Sequence, residues 1–555
     1  MLTSAFLKKQ AESSTFWQGA ALYNHCLQHA AGLAGTTIAG TAMPGTAMPG
    51  TAMPGTAQSA VFSQHSYQSS PQNSSQNSPG TYLYGSATLP EALSPTHAYP
   101  HSIDFFYRYG YEFLGMAYSV YVHQVMEKIN QLGIDHVMFV AREGYLFQKI
   151  YEILTRHMPT AMPKNVTTHY AYLSRASTFL PSVSHLSPRE LVLATDAPGQ
   201  QGLWSTLKTL GLPPAEFESF AQEHGVDLRS PIQDYWNDHK LLNFFSDRRV
   251  QSSVKSYQQQ AHSRLAQYLE QAGFFGQNHK VALVNIGWEG IIQDNLVRAF
   301  SQRSDFPLLY GLYFGLRERQ SFLKYSNSFS QGLVYDSRNR NINAESVELF
   351  VEMFEKGASA PQPMTKGYEP MGQLLTDGVR PVFDAESPQQ QQAALKSRGA
   401  IAVMQRGILD FVCQYGQQWQ HQSFSAEANL PFVHGLITRH MAFPTYEEAY
   451  RIATQIDSPV NDSGGVASDL GAANGLGVAN DLGVANDLGV ANALGRDGLA
   501  SVAVTAPDFW HPLVAGKAKT AIKRLQNAAW RTGSLRLLKV PGLATFYRIK
   551  RFLSF

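Results

Sequence analysis

The chain has 555 residues, 44% of them hydrophobic and 15% charged, with a formal net charge of +2. That length accommodates two to four domains with a sizeable core. Its two cysteines, Cys26 and Cys413, exclude a disulfide framework and a cysteine-built zinc site.

No apolar run approaches the roughly 18 residues of a bilayer-crossing helix, so none is expected. Met1 to Gln10 places its charges after a short apolar piece, the wrong order for a secretory signal. The expectation is therefore a cytoplasmic protein. The small net charge hides an asymmetry: residues 516–555 hold ten Lys or Arg and no Asp or Glu. So local a basic segment points to a local partner, an anionic membrane surface or a nucleic acid.

In chain order, Phe16 to Ala31 predicts an N-terminal helix stopped by Gly32. Residues 33–100 read as disordered and of low complexity: Gly-Thr-Ala-Met-Pro repeats from Gly40 to Pro54, followed by a Ser/Gln/Asn-rich piece. Such composition buries too little apolar surface to offset its ordering entropy. Folded structure is expected from Ile103. Tyr111, Leu114, Tyr118, Tyr121, Val122, Val125, Ile129 and Leu132 recur at helical spacing over 105–132, and Gly133 stops that helix. His136 to Ala141 then predicts a strand, Arg142-Glu143-Gly144 a loop and Tyr145 to His157 a helix. Thr168 to Leu173 predicts another strand, ending in Ser174-Arg175.

Residues 176–275 predict a helical insert, with helices over Trp204–Leu210, Ala215–His224 and Asp247–Ala272. A second strand–loop–helix unit follows. Val281 to Val284 is a buried strand, Asn285-Ile-Gly-Trp-Glu-Gly290 a loop, and Ile291, Ile292, Leu296 and Ala299 mark a helix. Leu308 to Leu316 and Gln331 to Tyr335 predict further strands. Glu345 to Lys356 and 388–417 predict helices, the latter within a helical region spanning 381–458. Residues 459–505 carry an imperfect period-six Leu-Gly-Val-Ala-Asn-Asp repeat, too few copies for a β-helix, and read as a flexible loop. From 506 on, the chain predicts a basic amphipathic tail.

Several chemistries are missing from the sequence. It has no Asp-x-Asp, no His-Glu-x-x-His, no Gly-x-Ser-x-Gly and no phosphate-binding Gly-x-x-x-x-Gly-Lys-Ser/Thr. The histidines show no metal-ligand spacing, and residues such as His123 and His169 read as structural. What remains is a constellation of three strand ends in an α/β chain: Arg142-Glu143-Gly144, Arg175, and Asn285 to Gly290. In a parallel sheet these meet at the carboxyl edge, where ligands bind. Two guanidinium groups and glycine-rich backbone donors suit phosphate. Glu143 and Glu289 suit sugar hydroxyls or a magnesium ion held between phosphates.

Phe139-Val-Ala-Arg-Glu-Gly-Tyr145, Tyr172-Leu-Ser-Arg-Ala176 and Asn285-Ile-Gly-Trp-Glu-Gly290, in that order, resemble a domain of bacterial surface-polysaccharide (O-antigen, lipopolysaccharide or capsule) biosynthesis proteins. The resemblance covers roughly 103–380 and the Trp530-Arg-Thr-Gly-Ser534 piece. That domain is similar to a phosphoribosyltransferase, so the resemblance implies a Rossmann-like parallel sheet with 103–175 and 276–380 as its phosphosugar-binding core. It further implies transfer of ribofuranose 5-phosphate from phosphoribosyl pyrophosphate to a glycan or lipid-linked acceptor. A phosphatase then removes the phosphate. Carried onto this chain, Glu289, Asn285 and Glu143 are the expected catalytic residues. Arg142, Gly144, Arg175, Gly287, Trp288, Gly290 and Gln293 are expected to bind substrate, and magnesium to be held through substrate phosphates.

The chain departs from the family pattern. Asn285 and Glu143 stand where the family has Asp, and the long helical block 176–275 separates the two loops. The family often carries a dehalogenase-type (HAD) phosphatase domain; this chain has no such nucleophile, so dephosphorylation falls to a separate protein. The alternatives are a catalytically inactive scaffold of the same pathway, signalled by Asn285, and an HAD-like hydrolase relative, which the missing Asp pair opposes. Nucleic acid is not an expected partner. The basic tail is expected to hold the protein peripherally at the inner membrane.

Overall fold

The computed structural model describes residues 20–24, 26–27, 101–158, 166–194, 202–232, 234, 236–317, 325–339, 344–372, 377–384, 388–419 and 425–456. Both low-complexity segments, the basic tail and most of the expected N-terminal helix lie outside them. The chain divides into two units. The second, residues 30–100, lies wholly outside the described residues, and everything below belongs to the first.

Residues 20–24 and 26–27 are helical. The next helix, α1 (His101–Tyr109), runs through a π turn at Gly110–Leu114 into α2 (Gly115–Leu132). Gly133 ends α2 in the left-handed conformation, as the sequence led us to expect. Then come β1 (His136–Val140), α3 (Gly144–His157), β2 (Thr167–Ala171) and α4 (Arg175–Ser182). The helical block continues through α5 (Pro188–Ala194), α6 (Gly202–Thr209), α7 (Pro214–Glu223), α8 (His239–Ser246) and α9 (Arg248–Gln271). It packs around its own apolar cluster, including Leu203, Leu207, Phe217, Phe244 and Val250. The chain returns to the sheet with β3 (Lys280–Trp288), α10 (Ile291–Phe300), β4 (Leu308–Leu316) and β5 (Ser328–Asp336).

The sheet has five strands in the order β2-β1-β3-β4-β5, and every neighbouring pair is parallel. A parallel sheet needs both faces covered, and strand alternation supplies two apolar faces here. Met138, Val140, Val281 and Leu283 face a cluster built with Leu265, Leu269, Leu296 and Phe300 of α9 and α10. On the opposite face, Phe314 of β4 meets the rings of Tyr118 and Tyr121 of α2, and Phe139 meets Tyr151 of α3.

One sequence expectation needs correction here, and one element was not foreseen. The single helix expected over Glu345–Lys356 is a 3-10 turn, Ala344–Leu349, followed by α11 (Val351–Ala358), with the break at Phe350, whose backbone is non-helical. An antiparallel hairpin not foreseen from the sequence, β6 (Thr365–Pro370) and β7 (Val379–Phe383), lies against α9 and α4. Its strands are short and rich in Gly, Pro and charge, so no period-two apolar pattern announces it. After it come α12 (Pro388–Trp419), α13 (Leu430–Ala442) and α14 (Tyr446–Gln455). His123 is a core residue, as expected: it is 2% exposed, lies 3.1 Å from the Tyr415 hydroxyl, and burial pushes its imidazole down to about 3. Among the described residues no helix is long and apolar enough to cross a membrane.

Candidate functional site

Because β2, β1 and β3 are adjacent and parallel, their carboxyl ends open on one edge. At the end of β1 the chain turns at once into a helix. Glu143 is the N-cap of α3 and Gly144 its first residue. The turn is tight: a Cβ on Gly144 would lie 2.5 Å from the Phe139 carbonyl carbon. The Ala141–Arg142 peptide is cis. The Arg142 carbonyl accepts from the Ala360 amide at 3.3 Å, tying this turn to the segment after α11. Glu143 is buried.

At the end of β2, Ser174 caps α4. Its hydroxyl accepts from the Ser177 amide at 3.0 Å and donates to the Thr365 carbonyl of β6. Arg175 is the next residue, with its side chain exposed.

The third motif does not begin as the expected loop. β1 stops pairing with β3 at Phe139 and Val284, but β4 stays beside β3 through Gly287–Gly315 and Trp288–Leu316. Asn285 to Trp288 are therefore strand, and only Glu289 and Gly290 form the turn into α10. Three residues here have positive φ: Gly287 at 98°, Trp288 at 82° and Gly290 at 66°. The strand can pass so close to β4 only because Gly287 and Gly315 lack side chains. A Cβ on Gly287 would sit 2.2 Å from the Gly315 carbonyl oxygen, and one on Gly315 would sit 2.3 Å from the Trp288 ring.

Trp288 is the hub of this edge. Its indole N–H donates to Glu355 Oε1 of α11 at 2.8 Å. Its ring lies 5.5 Å from the guanidinium of Arg317, the residue after β4, which also makes a forked pair with Glu348 at 2.6–2.9 Å. Burial pushes the Glu355 carboxyl up to about 7. The Glu143 charge adds to that rise, while the Trp288 hydrogen bond and Arg142 oppose it. Tyr118, whose hydroxyl donates to the Phe354 carbonyl at 2.7 Å, is held well above its usual range by burial and then by the charges of Glu143 and Glu355. Burial raises Tyr170 at the β2 end as well, and Glu143 contributes there too. Glu143, Glu355, Arg142, Tyr118 and Trp288 thus form one electrostatic neighbourhood behind the β1 and β3 ends.

The expected site residues divide accordingly. Arg142, Glu143 and Gly144 stand at one junction; Gly287, Trp288, Glu289 and Gly290 stand at the neighbouring one. Glu289 is partly exposed and lies near enough to Arg317 to influence it. Asn285 is partly buried: its side-chain oxygen accepts from the adjacent Ile286 amide, and its backbone carbonyl accepts from the Tyr121 hydroxyl at 2.8 Å. Gln293, expected to bind substrate, lies in the interior. It is 2% exposed, its amide donates to Ser328 Oγ and the Phe329 carbonyl at 2.8 Å, and its oxygen accepts from Tyr313 at 2.8 Å. Its polar atoms hold α10 to β4 and β5.

Sequence reasoning missed Glu355, Arg317 and Tyr118. A faint signal for Glu355 existed: a carboxylate directly after the apolar pair Met353-Phe354, on a helix that buries both. Among the described residues no group of three or more His, Cys, Asp or Glu side chains is placed to hold a metal ion. No family model matches the chain, and no curated protein matches it.

Proposed function

We propose that the β1 and β3 ends bind a phosphosugar donor, and that the chain is a glycosyltransferase-like enzyme of bacterial surface-polysaccharide assembly using phosphoribosyl pyrophosphate. The observation that carries this reading is the pairing of two neighbouring junctions on one parallel-sheet edge: Arg142-Glu143-Gly144 opening α3, and Gly287 to Gly290 opening α10. Helix N-termini and glycine-rich turns favour phosphate, and Arg142 adds a fixed positive charge. In such a transfer, negative charge builds on the departing pyrophosphate, which Arg142, the turn amides and magnesium would stabilise. Glu289, partly exposed at the mouth, is placed to support the cationic sugar or orient the acceptor hydroxyl. A separate phosphatase would then remove the 5-phosphate. The basic segment 516–555, outside the described residues, is assigned to an anionic membrane surface carrying the acceptor; its removal should abolish sedimentation with anionic vesicles.

The inactive-scaffold reading has one observation in its favour: the Asn285 side-chain oxygen is taken up by the adjacent Ile286 amide. Calorimetric titration with phosphoribosyl pyrophosphate separates the two. Binding that requires magnesium and is lost with chelator supports the enzyme; no binding at millimolar donor rejects it.

A further inference from the structure

On the β2 side of the same edge, α4, α9, β6 and the turn after α6 enclose a cleft of about 130 Å³. Ala176 and Ser177 line it, so it begins one residue beyond Arg175. Leu180 and Pro181 give it an apolar wall, and the aromatic side chains of Tyr257 and Tyr368 also line it. Tyr257 is fixed by a 2.6 Å hydrogen bond from its hydroxyl to Glu216, and Tyr368 by one of 2.7 Å to the Tyr172 carbonyl.

Two cations share the cleft, Arg264 of α9 and Lys366 of β6. Arg264 is half-buried and makes no hydrogen bond or ion pair with any described residue. The Lys366 ammonium stands 3.7 Å from Asp384, both side chains being substantially exposed. So long and wet a pair is weak, which leaves the lysine able to turn toward a ligand. An unpaired arginine on a convex surface needs no explanation, since water solvates it. Arg264 instead lines a concavity with a second cation, where one anion could engage both.

We propose that this cleft binds an acidic sugar. Its carboxylate or phosphate engages Arg264 and Lys366, and its ring lies along the wall of Leu180, Pro181 and Tyr257. Arginine suits either anion through its planar fork, and amphipathic aromatic side chains suit a sugar ring. Resting on the functional reading above, the sugar belongs to the acceptor glycan, held beside the donor edge and next to Arg175.

The test is calorimetric or saturation-transfer titration of the full chain with glucuronate, with glucose 1-phosphate and with neutral glucose. At least one acid should bind, and bind more tightly than glucose; which one does identifies the anion. Arg264→Ala should weaken that binding at least tenfold and Arg264→Lys less. Arg142→Ala should leave it unchanged. These outcomes stand whether or not phosphoribosyl pyrophosphate binds, so failure of the donor reading and failure of the cleft are seen separately. The proposal is overturned if neither acid binds wild type, if Arg264→Ala binds as wild type does, or if the loss follows Arg142→Ala instead.

Discussion

The carboxyl edge of the sheet carries two strand-to-helix junctions of related sequence, Val140-Ala-Arg-Glu-Gly-Tyr145 and Asn285-Ile-Gly-Trp-Glu-Gly290. Each offers a glycine after a carboxylate, directly before or at the start of a helix. Their geometry differs because their neighbours differ. β1 ends level with β2, at Val140 and Ala171, so the chain turns immediately and Gly144 enters α3 against the carbonyl of Phe139. β3 is kept extended by β4 for four further residues, so its motif is strand until Trp288 and a turn only at Glu289-Gly290. The first junction is compact and anchored by the Arg142 carbonyl. The second carries three positive-φ residues and is anchored by the indole of Trp288. A motif's residues name its chemistry, whereas the length of the adjacent strand decides its shape.

The glycines should break the comparison most visibly. Gly287→Ala combines a left-handed backbone with a Cβ 2.2 Å from the Gly315 carbonyl oxygen. Backbone strain of about 1–2 kcal/mol is added to an overpacking cost of about 1–3. We expect a loss on the order of 2–5 kcal/mol in urea unfolding. Gly144→Ala suffers the clash without a positive φ, so its loss should be smaller, on the order of 2–3 kcal/mol. Equal losses would show that backbone conformation contributes little at the β3 junction.

The anchor of the second junction titrates. Glu355 ionises near 4.5 when unfolded and near 7 in the folded chain. A raised carboxyl pKa means that the folded state holds the proton more tightly. Wild-type stability contributed by this group is therefore full below pH 4.5, falls between pH 4.5 and 7, and is flat above. The span is at most about 3.5 kcal/mol. Glu355→Gln keeps an acceptor for the indole N–H and removes the titration. The stability of Glu355→Gln relative to wild type should thus increase from pH 4.5 to 7.5, as read by denaturant melts at both values. A difference independent of pH would mean that Glu355 is not a buried titrating group.

Much of this contrast was legible in the residues. Apolar runs such as Val281 to Val284 and Leu308 to Leu316 mark buried strands, and three-and-four spacing marks α2. Parallel pairing then brings the strand ends to one edge. The extension of β3 was not legible, because it depends on the reach of β4, a contact between Gly287 and Gly315 with no local signature. The surroundings of Gln293 were not legible for a related reason. An amide near a loop reads like a ligand contact, but here it is consumed by strands reached only through tertiary packing. Glu355 lies 66 residues beyond Glu289, and no spacing rule connects them.

Ligand binding sharpens the comparison further. Arg142 sits at the compact junction, whereas Arg175 is exposed at the head of α4. Arg142→Ala should weaken phosphoribosyl pyrophosphate by on the order of 1.5–3 kcal/mol, the scale of a charge-assisted hydrogen bond. Arg175→Ala should fall at or below the lower end of that range, because water screens an exposed charge. Titration calorimetry at two salt concentrations checks both: the Arg175 effect should shrink more with salt. If both variants bind like wild type but melt lower, the two arginines are structural.

The smallest effect is expected at Gly290, where conformation and contact are separable. Its φ of 66° is left-handed like that of Gly287, yet a Cβ there would come no closer than 3.7 Å to Tyr313, an ordinary contact. Gly290→Ala should therefore cost only the backbone preference, about 1 kcal/mol. Gly290→Asn should cost less, because asparagine tolerates the left-handed region better than other residues with a Cβ. If the turn amides contribute to phosphate binding, Gly290→Asn should leave donor affinity nearly intact, since it preserves the backbone geometry and adds no clash. A Gly290→Ala loss as large as that of Gly287→Ala would show that the turn itself, rather than the β3–β4 contact, holds the second junction in place.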